Sequence, residues 1–148
     1  MGIEADTMKK LIAFSFLAVG AVATPVSAND LFGTRWLTQN GQAEIAIASC
    51  VGGSLCGTIA RVVAPAGVFP KDTRNPDASK RNQPLVGVKL IQGFKLGKDG
   101  KWTGGTIYNP QDGRTYRSEL ARKPDGSLAV KGCVGPLCQT QVWKPVTR

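Results

Sequence analysis

Two patterns of apolar positions divide this chain. Leu11 to Ala23 form one apolar stretch with no charge, whereas from residue 33 onward apolar residues come in short, β-rich runs broken by turn steps. Asn40-Gly41, Asp99-Gly100, Asp112-Gly113 and Asp125-Gly126 are all hairpin-type steps, in which Asn or Asp followed by Gly accepts the positive φ of a tight turn. The runs between them predict strands over 33–38, 42–50, 56–64, 85–95, 101–109, 114–122, 127–133 and 138–145. The last three Asp-Gly steps recur thirteen residues apart, which fits an antiparallel meander of consecutive hairpins. Closing about eight short strands on themselves removes the exposed edges that make open sheets sticky. The expected fold is therefore all-β, a single small antiparallel up-and-down barrel.

One stretch breaks the strand rhythm. Residues 64–84 are rich in proline, and Asp72 to Arg81 reads as a long polar loop with one helical turn begun by Asn75-Pro76. A loop of this length in a small domain is either functional or mobile.

The apolar stretch near the start has a different meaning. Lys9 and Lys10 precede it and Val26-Ser27-Ala28 follows it, the arrangement of a cleavable export signal. The thirteen residues of Leu11 to Ala23 fall short of a spanning helix, which needs about 20 residues. The expectation is a signal peptide over 1–28, translated from Met1 or Met8, and one domain over 29–148 without a transmembrane segment. That remainder is large enough for one hydrophobic core.

Export changes the reading of the four cysteines. In an oxidising compartment they form a disulfide framework with three possible connectivities. Cys50 with Cys56 and Cys133 with Cys138 is the favoured pairing, because each pair flanks a short, glycine-bearing turn. A tetrathiolate metal site would need closer spacing. Counting outward from the first bridge sets Ala48 opposite Thr58, Ala46 opposite Ala60 and Ile47 opposite Ile59. From the second it sets Lys131 opposite Thr140 and Ala129 opposite Val142. The small residues Ala46, Ala48, Thr58 and Ala60 on the first cysteine face leave room for either a ligand or a closely packed covering element.

The chain holds 19 Lys and Arg against 10 Asp and Glu, a net charge of +9, and no histidine. The missing histidine removes Ser-His-Asp and Cys-His nucleophile systems and every histidine-bearing metal site. Asp99, Asp112 and Asp125 belong to turns, so only Glu44, Asp72, Asp77 and Glu119 remain for carboxylate chemistry. Asp72, Asn75 and Asp77 form an oxygen-rich loop cluster, but the spacing lacks the alternation and closing Glu of an EF-hand and points to loop-stabilising hydrogen bonds. Basic residues gather at Lys71, Arg74, Lys80 and Arg81 and again at Arg114, Arg117, Arg122 and Lys123. No RNA-binding aromatic motif or reading helix accompanies them, so anionic envelope components are the expected polyanions and nucleic acid is not.

Several motifs in fixed order carry a resemblance. They are Gly33-Thr34 with Trp36, Leu55-Cys56-Gly57-Thr58-Ile59, Asp72-x-x-Asn75-Pro76-Asp77, Gly93-Phe94, Trp102-x-Gly104-Gly105-x-Ile107-Tyr108-x-Pro110-x-Asp112-Gly113-x-Thr115-Tyr116, and Gly132-Cys133-x-Gly135-Pro136-Leu137-Cys138 with Trp143. Together they resemble the bacterial domain of unknown function family 2147 across essentially all of the chain after the signal. The family is also similar to lipocalin-type calycin barrels, where a Gly-x-Trp opens the first strand and a late basic residue packs over the Trp. Here Gly33-Thr34-Arg35-Trp36 has one residue too many, and Lys144 and Arg148 are the late basic candidates.

The resemblance implies a small, exported, lipocalin-like barrel. The function expected is non-catalytic binding of a small apolar or amphipathic ligand by a periplasmic or secreted monomer, with no cofactor and no metal. Trp36, Phe94, Tyr108, Tyr116 and Trp143 are the candidate aromatic lining. An envelope-interaction protein using the basic face and the 64–84 loop is the alternative, and a carboxylate-dependent enzyme the third reading.

Overall fold

Each turn step joins two neighbouring strands, and the last strand returns to the first. The computed structural model describes residues 30–68 and 70–147, so the expected signal segment 1–28 lies outside the described residues, as does Arg148. The strands are β1 (Arg35–Leu37), β2 (Ala43–Ser49), β3 (Leu55–Val62), β4 (Lys89–Leu96), β5 (Trp102–Asn109), β6 (Arg114–Arg122), β7 (Leu128–Val134) and β8 (Leu137–Pro145). All neighbours are antiparallel, and pairing of Trp36 with Pro145 and of Leu37 with Lys144 closes the barrel. Among the described residues, no helix is long and apolar enough to cross a membrane.

The turns form as their side chains dictate. Asn40, Asp99, Asp112 and Asp125 each accept, through Oδ1, the N–H two residues ahead, at 2.9 to 3.1 Å. This Asx bond fixes the reversal, and the following glycine supplies the positive φ. At Gly113 (φ 71°) space matters as much as φ: a Cβ there would lie 1.9 Å from the Arg74 carbonyl oxygen of the long loop. Glycine therefore lets the loop lie directly on the β5–β6 turn.

Hairpin registers decide what faces inward. In the β7–β8 hairpin Cys133 is opposite Cys138, Lys131 opposite Thr140 and Ala129 opposite Val142, as counting predicted. The first hairpin is displaced from the predicted register by two residues: Cys56 faces Ala48, Thr58 faces Ala46 and Ile59 faces Ile45. The reason is a 3₁₀ turn over Val51–Gly53, closed by Cys50 N–H to the Ser54 carbonyl at 2.7 Å, which reverses the chain in fewer residues than the counting allowed. Both bridges nevertheless form, Cys50–Cys56 diagonally with Cα atoms 5.9 Å apart and Cys133–Cys138 directly across at 4.1 Å. A shift of two residues preserves strand faces. Of the two readings of Ala46, Ala48, Thr58 and Ala60, the faces overturn the ligand one: Ile45, Ile47 and Ile59 are the buried set, and the small residues of the cysteine face point away from the lumen. Burying the larger apolar side chains removes more surface from water, roughly 25 cal/mol per Å².

One end of the barrel is filled. Leu31, Trp36, Leu55, Phe94, Leu120 and Leu128 are fully buried there, and the Phe32 ring meets Trp102 edge-on at 5.3 Å. Close packing requires Gly105, where a Cβ would fall 2.1 Å from Phe94 Cδ2. A register shift between Trp102 and Gly105 makes the local bend. Above Trp36 lies the Arg122 guanidinium, 5.3 Å from the ring centroid. The basic residue found over the opening tryptophan is Arg122 from β6, a correction of the Lys144 expectation: Lys144 is exposed, and β6 ends beside the indole, while the Arg148 expectation lies outside the described residues.

Candidate functional site

The opposite rim is formed by the β1–β2, β3–β4, β5–β6 and β7–β8 connections. Below it opens a lumen of about 500 Å³, within the range of small-molecule sites. Ile45, Ile59, Ile107, Val130 and Trp143 supply its apolar wall towards the filled end. Strand alternation puts Leu137, Gln139, Gln141 and Trp143 of β8 on the inner face together, so the wall grades from indole to amides on approaching the mouth.

Of the five aromatic residues expected at the site, Tyr108, Tyr116 and Trp143 line the lumen. Trp36 and Phe94 are 0% exposed, outside the lining and packed in the filled end. Their places follow from chain direction: Trp36 opens β1, and Phe94 sits against Gly105.

Gly132 is the residue that keeps the lumen open and that sequence reasoning passed over. It lies on the inner face of β7, its φ is not in the positive range, and a Cβ there would meet only Tyr116 Cβ at 3.8 Å and Ile107 Cγ2 at 3.9 Å. Neither strain nor crowding demands glycine here; a side chain would simply project into the lumen. Its place opposite Gln139 was countable from Cys133 opposite Cys138; that this face turns inward was not.

A polar network edges the mouth. Gln111 Nε2 donates to Gln42 Oε1 at 2.8 Å, and Asn40 Nδ2 donates to the same oxygen at 3.0 Å. The Tyr116 hydroxyl donates to Asp112 Oδ2. Partial burial works against ionisation of Asp112, but the Tyr116 hydroxyl, the Arg114 N–H, the Asn109 side chain and the Arg114 charge outweigh it and hold its pKa below the usual value. Asp112 is thus an anion at neutral pH.

The expected loop cluster is a brace for one side of this mouth. Asp72 is fully buried, and its carboxylate accepts from Asn75 Nδ2 at 2.7 Å, Gln83 Nε2 at 3.2 Å and the Tyr108 hydroxyl at 2.7 Å. Asn75 Oδ1 accepts the Asp77 N–H at 2.9 Å, and Asp77 caps a 3₁₀ turn over Ala78–Lys80 by accepting the Ser79 N–H. The single helical turn therefore begins at Ala78, later than Asn75-Pro76, because Asp77 is the residue placed to cap it. Tyr108 also borders an outer cleft of about 370 Å³ between this loop and the barrel wall, where Lys80 and Lys89 stand.

The other acidic candidates have structural partners. Glu44, on the outer face, accepts from Arg61 Nε at 2.9 Å and lies 3.9 Å from Arg35 Nη1. Its hydrogen bond from Arg61 lowers its pKa. Glu119 lies 3.5 Å from Lys131 on the barrel exterior. Among the described residues no group of three or more metal-ligating side chains comes together.

Comparison with known proteins agrees with this geometry. No curated protein matches the chain in sequence. Among solved structures it is similar to protein HP1028 from the human pathogen Helicobacter pylori, described as belonging to the lipocalin family, with a TM-score of 0.68 and 25% identity over 80% of this chain and 84% of that one. The model of a family described as an uncharacterized protein conserved in bacteria, DUF2147, matches residues 34–145. The chain therefore belongs to the DUF2147 family.

Proposed function

We propose that this protein is an exported, non-catalytic binding protein that holds one small apolar or amphipathic ligand in the barrel lumen. The observation that carries the reading is the lumen itself: about 500 Å³ of largely apolar space, closed at one end by packed aromatics and edged at the other by hydrogen-bonding side chains. The likeness to a lipocalin-family protein supports a binding role in general. Two disulfides suit an oxidising compartment such as the bacterial periplasm or the exterior, and the 1–28 segment has the composition of the signal that would deliver it there.

Binding is favoured over catalysis by where the carboxylates stand. Glu44 and Glu119 are outside the barrel, Asp72 and Asp77 stabilise a loop, and Asp112 alone borders the lumen. Among the described residues, no pair of these carboxylates therefore faces a common substrate position, the arrangement that a two-carboxylate mechanism uses.

The neutral, apolar dye N-phenyl-1-naphthylamine tests the reading. Its fluorescence should rise and saturate at one dye per barrel, and Gly132→Phe, which projects a ring into the lumen, should abolish the rise while leaving far-UV circular dichroism and the unfolding temperature near wild type. Equal dye binding by the folded Gly132→Phe protein would place the dye elsewhere and remove the proposal.

A further inference from the structure

The charge of this protein is distributed unequally between exterior and lumen. The chain carries +9 overall, yet no lysine or arginine is among the described residues that line the lumen. Among the described residues, Asp112 at the mouth is the one carboxylate in the lining. Around it the wall offers Gln42, Gln111, Gln139 and Gln141, amides that both donate and accept, and Tyr116, whose hydroxyl is bonded to Asp112. Arg114, although beside Asp112 in the turn, is exposed and not part of the lining. Within the lining an anionic head would meet the Asp112 carboxylate and no lysine or arginine; the Arg114 charge that acts on Asp112 belongs to an exposed side chain outside the lining, and like charges brought together in the lumen repel.

Resting on the lumen reading above, we infer that the ligand is an amphiphile with an uncharged or cationic, hydrogen-bond-donating head, and that anionic amphiphiles are excluded. The apolar tail would occupy the space between Ile45, Ile107, Val130 and Trp143. The head would remain at the mouth, donating to the Asp112 carboxylate and the rim amides. Asp112 Oδ2 already accepts from Tyr116 and Oδ1 from the Arg114 N–H, at 2.9 Å for the latter, but each carboxylate oxygen keeps a further lone-pair direction for a ligand donor. The exterior field works in the opposite sense, since a strongly basic surface concentrates anions around the protein. Exclusion of an anion is therefore a property of the lumen and is opposed by the net charge.

Displacement of N-phenyl-1-naphthylamine by decanol, decylamine and decanoate, which share one tail, separates these effects. At neutral pH and physiological salt, decanol and decylamine should displace the dye at concentrations at least roughly tenfold lower than decanoate. In Asp112→Asn the ratio of decylamine to decanol affinity should fall, and the penalty on decanoate should shrink. Decanoate displacing the dye as well as decanol, or Asp112→Asn leaving both ratios unchanged, would overturn the inference while leaving the lumen as a binding site. Failure of the dye itself to bind would remove the lumen reading and this inference with it.

Discussion

The Tyr108 hydroxyl donates to Asp72 Oδ1 at 2.7 Å, tying β5 to a loop 36 residues earlier in the chain. It is one of three side-chain donors to a fully buried carboxylate, and it joins the wall of the lumen to the segment that flanks its mouth. Tyr108→Phe keeps the ring and deletes only this donor. The variant should lose about 1–3 kcal/mol of stability, the cost of leaving a buried acceptor short of a partner, and residues 71–84 should become more sensitive to limited proteolysis. Urea unfolding that matched wild type would show that Asp72 does not depend on the phenol.

The same pair sets a pH dependence at the alkaline side. Burial first, and then the hydrogen bond to Asp72 and its charge, raise the Tyr108 pKa far above its ordinary value. Unfolded tyrosine titrates near pH 10, so above about that pH the unfolded chain releases a proton that the folded chain retains. The stabilisation is complete below the unfolded pKa and is lost as pH rises from there towards the folded pKa. Unfolding free energies should fall more steeply above about pH 10 in wild type than in Tyr108→Phe. Tyr116 is raised in the same direction by Asp112, so some slope should persist in the variant. Parallel curves for the two proteins would contradict the assignment.

Phe94 and Gly105 form the tightest contact of the filled end, with 2.1 Å between Phe94 Cδ2 and the position a Cβ would take. Gly105→Ala should therefore destabilise by roughly 1–3 kcal/mol through overpacking. Because the cause is a single neighbour, Phe94→Leu should cost less in the Gly105→Ala background than in wild type. Additive losses in thermal unfolding would mean that Gly105 is required for its backbone alone.

Arg122 stands over Trp36 at 5.3 Å from the ring centroid. Arg122→Ala should cost about 0.5–2 kcal/mol and alter Trp36 fluorescence, whereas Lys144→Ala, at an exposed position of β8, should change little. The opposite ranking would restore the late lysine to the role expected of it.

Much of the fold was legible because turn chemistry is local. The four Asn-Gly and Asp-Gly steps located their hairpins, and the β7–β8 register followed by counting from Cys133 and Cys138. Counting failed at the first hairpin, because nothing local in Cys50 to Cys56 announces that Val51–Gly53 will coil into a 3₁₀ turn. Which face of a strand turns inward depends on the barrel closing, so Ala46 and Ala48 could look like cavity residues until Ile45 and Ile47 were seen to be buried. The site was less legible for a related reason. A large aromatic side chain has the same composition signature whether it lines a cavity or fills a core, and depth along the barrel separated Trp143 from Trp36 and Phe94. Gly132 contributes by having no side chain, which sequence reading registers only as a possible turn or bulge.

Native mass spectrometry is the most direct test of the central claim, performed on protein exported to its own compartment, purified without detergent and compared with the Gly132→Phe variant. The account predicts an added mass on the wild-type protein, acquired there or on incubation with envelope lipid extract, that is lost on denaturation and absent from the variant. A wild-type protein that stays bare after that incubation, or a variant that carries the same added mass, would contradict a ligand held in the lumen.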